Sequence, residues 1–272
     1  MTAAKLPPIL TGKAPGEASV FTPDNLMREA RRQKQLVVAG VPKVCVLDPD
    51  GDIVRHLVAA GRATRDPGWA CYHTDLWRAT IAGLDVGVIG CAVGASFAVL
   101  LAEQLFACGC GLLVSMTSAG RLVELRDPPY FVLIDKAVRD EGTSYHYMPP
   151  SEFSIADIGL LKLAASALQK LDLIVETGGS WTTDAPFRET ANQISAMTAK
   201  GLLAVEMEAA ALYAFATARQ KPVICFAHVT NQMARIDGDF EKGAADGAIE
   251  SLRVITTVGR AWHAALRPGA LC

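Results

Sequence analysis

Residues 201–231 read GLLAVEMEAAALYAFATARQKPVICFAHVTN. The apolar run Leu202, Leu203, Ala204 and Val205 gives way at Glu206-Met207-Glu208 to an Ala-rich segment with helical spacing. This predicts a strand that ends where a helix begins, followed by a second buried strand from Pro222 to Val229. If the backbone stays extended across the junction, positions two apart point the same way. Glu206 and Glu208 would then face one pocket beside a helix N-terminus that favours negative charge. First-turn acids of an ordinary helix are the competing reading.

Outward from this stretch the same alternation recurs. KVCVL (43–47) is a strand feeding a helix through Ile53, Val54, Leu57 and Val58, and ATIAGLDVGVIGC is a pair of strands around Gly83. Val93-Gly94-Ala95-Ser96 opens an apolar helix to about Ala107, buried nearly all round. Strands at Leu112–Gly120, Tyr130–Asp135 and Leu173–Val175, an outer helix from Ile155 to Leu171, and a C-terminal helix through Ile249, Leu252, Ile255 and Val258 complete the pattern. The expectation is a three-layer α/β fold with a twisted mixed central sheet and helices on both faces. It is read as a single domain over 1–272, with 1–42 forming an N-terminal arm and a helix that Asp24 would cap; Pro7, Pro8, Pro15 and Pro23 mark the arm as extended.

Composition narrows the function. With 272 residues, 51% of them hydrophobic, the chain can bury a sizeable core. A formal net charge of −2 offers no basic footprint, so nucleic acid is not an expected partner. The seven cysteines (Cys45, Cys71, Cys91, Cys108, Cys110, Cys225, Cys272) follow neither a disulfide nor a zinc spacing and read as reduced core residues. Cys108-Gly109-Cys110 reads as a helix end. The histidines show no HxxxH or HExxH pattern, so no metal site is predicted. No apolar run reaches membrane-spanning length and no export signal opens the chain, which together point to a cytoplasmic protein handling small molecules.

Several phrases resemble one family in the order in which that family carries them, across most of residues 43–260. AVEMEAAALYAFA is similar to the signature of the nucleoside phosphorylase superfamily, which includes uridine phosphorylase, hexameric purine nucleoside phosphorylase and the methylthioadenosine nucleosidases. The resemblance implies that Glu208 accepts hydrogen bonds from the ribose 2′- and 3′-hydroxyls, with Met207 packed on the sugar and Glu206 close by. An ionised carboxylate has two oxygens to serve a vicinal diol. GDIVR resembles the phosphate-binding GDPxR element, which places Gly51 and Arg55 on inorganic phosphate, although Ile53 replaces its proline and Asp48, Asp50 and Asp52 crowd the loop. The bare residues read equally as a strand-to-helix turn with a surface arginine.

SMTSAG (115–120) matches the RxGSxG loop at Ser118 and Gly120, while Ser115 stands where the family carries a phosphate-binding arginine, as in nucleosidases that use water. AVRDEGTSYHY resembles a segment that lines the sugar and base pocket; Arg139-Asp140-Glu141 reads equally as an ion-pair cluster bracing a loop. In relatives a DxFY motif stacks on the base. Here Pro186 holds the stacking position and Phe187 the next, followed by Arg188 and Gln193, whose planar forks suit a uracil or oxopurine edge and also suit a plain surface. Asn231 stands where adenine-handling relatives carry a proton-donating aspartate.

The resemblance implies a nucleoside phosphorylase acting on a uridine-like or 6-oxopurine nucleoside, with Glu208, Asn231 and Arg55 as the reacting set. Phosphate is the co-substrate and no cofactor is needed. A nucleosidase and a non-catalytic nucleoside-binding protein are the alternatives. It also implies a homo-oligomer, a dimer or a hexamer built as a trimer of dimers, with Arg62, Arg65 or Arg78 crossing to a neighbour's phosphate site.

Overall fold

The computed structural model describes residues 6–233 and 237–266. Along the chain run α1 (Pro23–Lys34), β1 (Val44–Asp48), α2 (Asp52–Ala59), β2 (Thr64–Arg65), β3 (Trp77–Ile81), β4 (Leu84–Gly90), α3 (Ala95–Ala107), β5 (Leu112–Arg121), β6 (Tyr130–Asp140), β7 (Phe153–Ile155), α4 (Ile158–Leu168), β8 (Val175–Thr183), α5 (Ala191–Ala199), β9 (Ala204–Glu206), α6 (Ala209–Arg219), β10 (Val223–Asn231) and α7 (Ala248–Ala265).

The strands form one mixed sheet in the order β10-β6-β8-β9-β5-β1-β4-β3-β2. Because β10 also pairs with β5, the strands β5, β9, β8, β6 and β10 close on themselves, while β1, β4, β3 and β2 continue as an open wing. β1 lies parallel to both β4 and β5, and β5 parallel to β10, so the carboxyl ends of these strands gather at one edge. In parallel sheets that edge is where ligands bind.

Burial on both faces explains the sequence pattern. Every residue of β1 and of β10 is buried, which is why both read as continuous apolar runs rather than alternations. Alternate strand residues divide between two cores. Cys45, Leu47, Leu113 and Cys225 pack with α1, α3 and α6, whereas Val44, Val46, Leu112, Val114 and Phe226 pack with α2, α4 and α7. Ala209 to Phe215 of α6 are all buried, and alanine lets that helix lie close against the sheet.

The structure corrects several expected boundaries. Thr22, not Asp24, caps α1, accepting from the Asn25 amide at 3.2 Å with Pro23 at the first helical position. β6 runs on to Asp140 and β8 to Thr183, so both strands extend past their expected ends at Asp135 and Val175. Arg139, Asp140 and Glu141 form no ion-pair cluster. Arg139 donates to Ser144, Ser151 and the carbonyls of Met148 and Pro149, Asp140 accepts from Trp181, and Glu141 caps the turn at Thr143 and Ser144. The loop is therefore braced by neutral partners. The Gly83 turn is as expected, with Ala82 and Gly83 at φ of 50° and 78°. Cys91 is exposed and the other described cysteines are free and buried; Cys272 lies outside the described residues.

Candidate active site

Glu206 closes β9, and Glu208, with φ −132° and ψ −38°, starts α6. That change of backbone breaks the alternation the sequence implies, and the two carboxylates take different hydrogen-bond partners. Glu206 turns into the body of the protein: its Oε2 accepts from the backbone amides of Glu208 and Ala209, both at 2.7 Å, and its Oε1 accepts from Ser180 at 2.9 Å and from Thr182. It caps α6 and is not free to meet a sugar. Glu208 Oε1 accepts from the Gly94 amide at 2.7 Å, at the N-terminus of α3, while Oε2 is buried without a partner. Burial, then the Glu206 charge, push the Glu208 carboxyl up to about 8. Met207, between them, is half-buried.

The remaining candidates gather at the same strand edge. Gly120 is registered between Val205 and Asn231 on its neighbouring strands, and a Cβ there would lie 2.5 Å from Met233 Sδ. Asn231 is buried, with Oδ1 accepting from the Met233 amide at 2.9 Å and Nδ2 donating to Thr230 at 3.2 Å. Ser118 is registered opposite His228, whose ring stacks on Phe131 at 4.5 Å. Burial, then the nearby Lys242 charge, lower the His228 pKa to about 4, so the ring is neutral near pH 7.

Gly51 takes the left-handed conformation its turn needs, at φ 78°, and its amide donates to the Asp48 carbonyl at 2.9 Å. The Asp48 carboxylate also accepts from Gly51 and Val54, so the N-terminus of α2 holds this chain's own anion. Arg55 is largely exposed and donates to the Asp50 carbonyl at 2.8 Å and to the Asp52 carboxylate. Lys242 bridges Asp50 and Asp52 at 2.6 Å each, and with Asp48, Ser118 and His228 these residues line a narrow cleft of about 20 Å³. Thr117 connects this cleft to Glu208, lining the one and favouring the charge of the other.

Phe187 and Arg188 sit on an exposed turn, Phe187 at 99% exposure, and Gln193 is used in the capping box of α5. Of the three arginines offered to a neighbour, Arg65 pairs with Asp75 and Arg78 with Asp66, both at 2.6 Å, whereas Arg62 is exposed and makes no ion pair among the described residues. Gly94, Ser180 and Thr182 were not marked by sequence. Their signals were a glycine opening a helix and hydroxyls two apart in an apolar strand.

The fold has clear counterparts. The Phosphorylase superfamily profile matches residues 43–258, and the chain belongs to that family. It is 26% identical over 166 residues to a guanosine phosphorylase of Halorubrum lacusprofundi, a match spanning 61% of this chain and 66%, just under two thirds, of that relative's length. Its fold is similar to a uridine phosphorylase from Vibrio fischeri ES114 (TM-score 0.66, 21% identity, 85% of this chain and 94% of the other). It is also similar to a purine nucleoside phosphorylase from Toxoplasma gondii (TM-score 0.69, 16% identity, 84% and 93%). No helix among the described residues is long and apolar enough to cross a membrane.

Proposed function

We propose that this protein is a nucleoside phosphorylase that transfers the ribosyl group of a uridine-like or 6-oxopurine nucleoside to inorganic phosphate, giving ribose 1-phosphate and the free base. The observation that carries the reading is Glu208, buried at the carboxyl edge with one oxygen held by Gly94 and the other unpartnered. A buried acceptor without a donor is costly, and the hydroxyls of a bound ribose supply donors. As the glycosidic bond lengthens, positive charge grows on the sugar ring, and an anionic Glu208 stabilises it more in the transition state than in the ground state. Asn231 then hydrogen-bonds the departing base. The name of the Halorubrum relative supports a 6-oxopurine as leaving group.

Phosphate would enter at Gly51, Arg55, Ser118 and Gly120. A second reading, hydrolysis by water, has its own support: Asp48 already fills the start of α2, and Ser115 is buried with its hydroxyl unpartnered where a phosphate-binding arginine is absent. A panel of uridine, inosine, guanosine and adenosine assayed with and without phosphate separates the two. Phosphorolysis requires phosphate, and Arg55→Ala then raises the phosphate KM strongly. Equal cleavage in phosphate-free buffer makes the enzyme a nucleosidase. The reading includes a homo-oligomer in which Arg62 reaches a neighbouring site, and an active monomer by light scattering at assay concentration would contradict that part.

A further inference from the structure

The hydrogen bonds around Glu206 and Glu208 fix where protons can sit. Glu206 Oε2 receives two backbone N–H groups, which can only donate. Its Oε1 receives Ser180 and Thr182, and the Thr182 oxygen itself accepts from the Ala210 amide at 2.9 Å, so the threonine hydrogen is directed at the carboxylate. Burial raises the Glu206 pKa and these four hydrogen bonds oppose that rise, so of the two carboxylates Glu206 is the one better held as the anion. Glu208 has one oxygen taken by Gly94 and the other unpartnered, with the Thr117 hydroxyl and the Met207 amide close enough to favour its charge, and it is 1% exposed.

Neither carboxylate makes an ion pair among the described residues, although both are buried and only Met207 separates them in the chain. Two neighbouring buried charges of one sign without a cation are strongly disfavoured. The other ionisable groups near the pair are Tyr213 on α6 and Cys225 on β10, and burial keeps both protonated. Tyr213 is fixed by donating to the Ile134 carbonyl at 2.6 Å and accepting from the Cys225 amide at 3.0 Å. From β5 and β8 the pair meets only the hydroxyls of Thr117, Ser180 and Thr182, and from α3 the Gly94 amide.

We propose that the Glu206–Glu208 pair holds one proton in the empty site, seated on Glu208 Oε2, and that a bound ribonucleoside expels it to solvent when its ribose hydroxyls donate to Glu208. Glu206 is then a positioning residue whose fixed charge decides where the proton resides. This inference rests on Glu208 being the ribose acceptor. A carboxylic acid donates from one oxygen and cannot accept a vicinal diol with both, so the proton leaves as the diol arrives. The anion needed opposite the growing positive charge is thereby formed only when substrate is present.

The test is titration calorimetry at pH 7 in two buffers of different ionisation enthalpy. The probes are formycin B and pseudouridine, C-nucleosides whose carbon–carbon linkage resists cleavage. Binding should release about one proton per site, since a group titrating near 8 is mostly protonated at pH 7. 2′,3′-Dideoxyinosine, lacking the diol, should release none. Glu206→Gln should move the rising limb of the kcat/KM pH profile down by about one pH unit or more and lower the release at pH 7 from about 0.9 to about 0.5 proton per site or less, because a neighbouring charge is gone. Binding of a C-nucleoside without proton release overturns the inference while leaving the ribose reading standing. Failure of both C-nucleosides to bind overturns the ribose reading and the inference together. Should Glu206→Gln fail to fold, the wild-type release measurement and its dideoxy control decide alone.

Discussion

The Val54 amide donates to Asp48 Oδ2 at 3.0 Å, which ties the last residue of β1 to the first turn of α2. A helix start attracts anions, and here the anion is supplied by the chain. Its carboxyl is nonetheless pushed up to about 6, chiefly by burial and further by Asp52 and Asp50, against the opposing bonds from Val54 and Gly51.

Asp48→Asn should therefore stabilise the protein at neutral pH relative to acid. The unfolded carboxyl ionises near 3.8 and the folded one near 6. Between those values the folded state binds more protons, so this group's contribution to stability falls as pH rises and stays lost above 6. Asparagine keeps one acceptor for the cap and carries no charge. The melting-temperature difference, variant minus wild type, should grow from pH 4.5 to pH 7.5, by no more than about 3 kcal/mol in free energy. A difference that is flat across that range would show that Asp48 is not perturbed by burial.

Glu208→Gln should cost on the order of 2–4 kcal/mol of transition-state stabilisation, read as kcat/KM on the best nucleoside of the panel. Wild-type kcat/KM in this variant would remove Glu208 from the ribose site. In wild type, kcat/KM should rise with pH through about 8, since Glu208 binds the diol as the anion and burial plus Glu206 hold its proton until then.

Gly247 tests how the cleft is closed. At φ 78° it lies against His228, and an added Cβ would fall 2.2 Å from His228 Cε1 and 2.7 Å from the Lys242 carbonyl. Neither a flexible end nor open space is available to absorb it. Gly247→Ala should destabilise by about 3 kcal/mol or more, combining left-handed strain with a backbone clash. A loss below about 1 kcal/mol in chemical denaturation would mean that the loop moves away from His228 at little cost.

Most of the fold was legible because β1, β10 and the Ala209–Phe215 part of α6 are buried on every side, and continuous apolar runs identify such elements without reference to partners. The closure of β5 on β10 was not legible, since it depends on pairings between residues about 110 positions apart, such as Leu113 with Val223. In the site, sequence marked Glu208, Asn231 and Gly120, which the fold brings to one edge. It misplaced Glu206 because the period of two holds only while the backbone is extended, and the chain turns at Glu208. Ser180 and Thr182 were missed because a hydroxyl in an apolar strand gains meaning only from the carboxylate opposite it.

The base preference turns on Asn231. Its Oδ1 is fixed as acceptor by the Met233 amide, which leaves Nδ2 aimed at Thr230 Oγ1 and, at 3.5 Å, at the Ala119 carbonyl. Release of the long contact to Ala119 frees one amide hydrogen for a carbonyl or ring nitrogen of the base, and an amide cannot deliver a proton. A base that leaves with its charge spread over carbonyl oxygens, such as uracil or a 6-oxopurine, needs no such delivery, and adenine does. Wild type should therefore prefer uridine or inosine to adenosine. Asn231→Asp places a carboxyl in a position that is 8% exposed and beside the Ala119 carbonyl, and both features raise its pKa by disfavouring the anion. The protonated side chain can then donate to a purine nitrogen. The kcat/KM ratios of adenosine to uridine and of adenosine to inosine should both rise in the variant. A wild-type preference for adenosine, or ratios unmoved by the substitution, would show that Asn231 does not face the base and that selectivity is set by other residues.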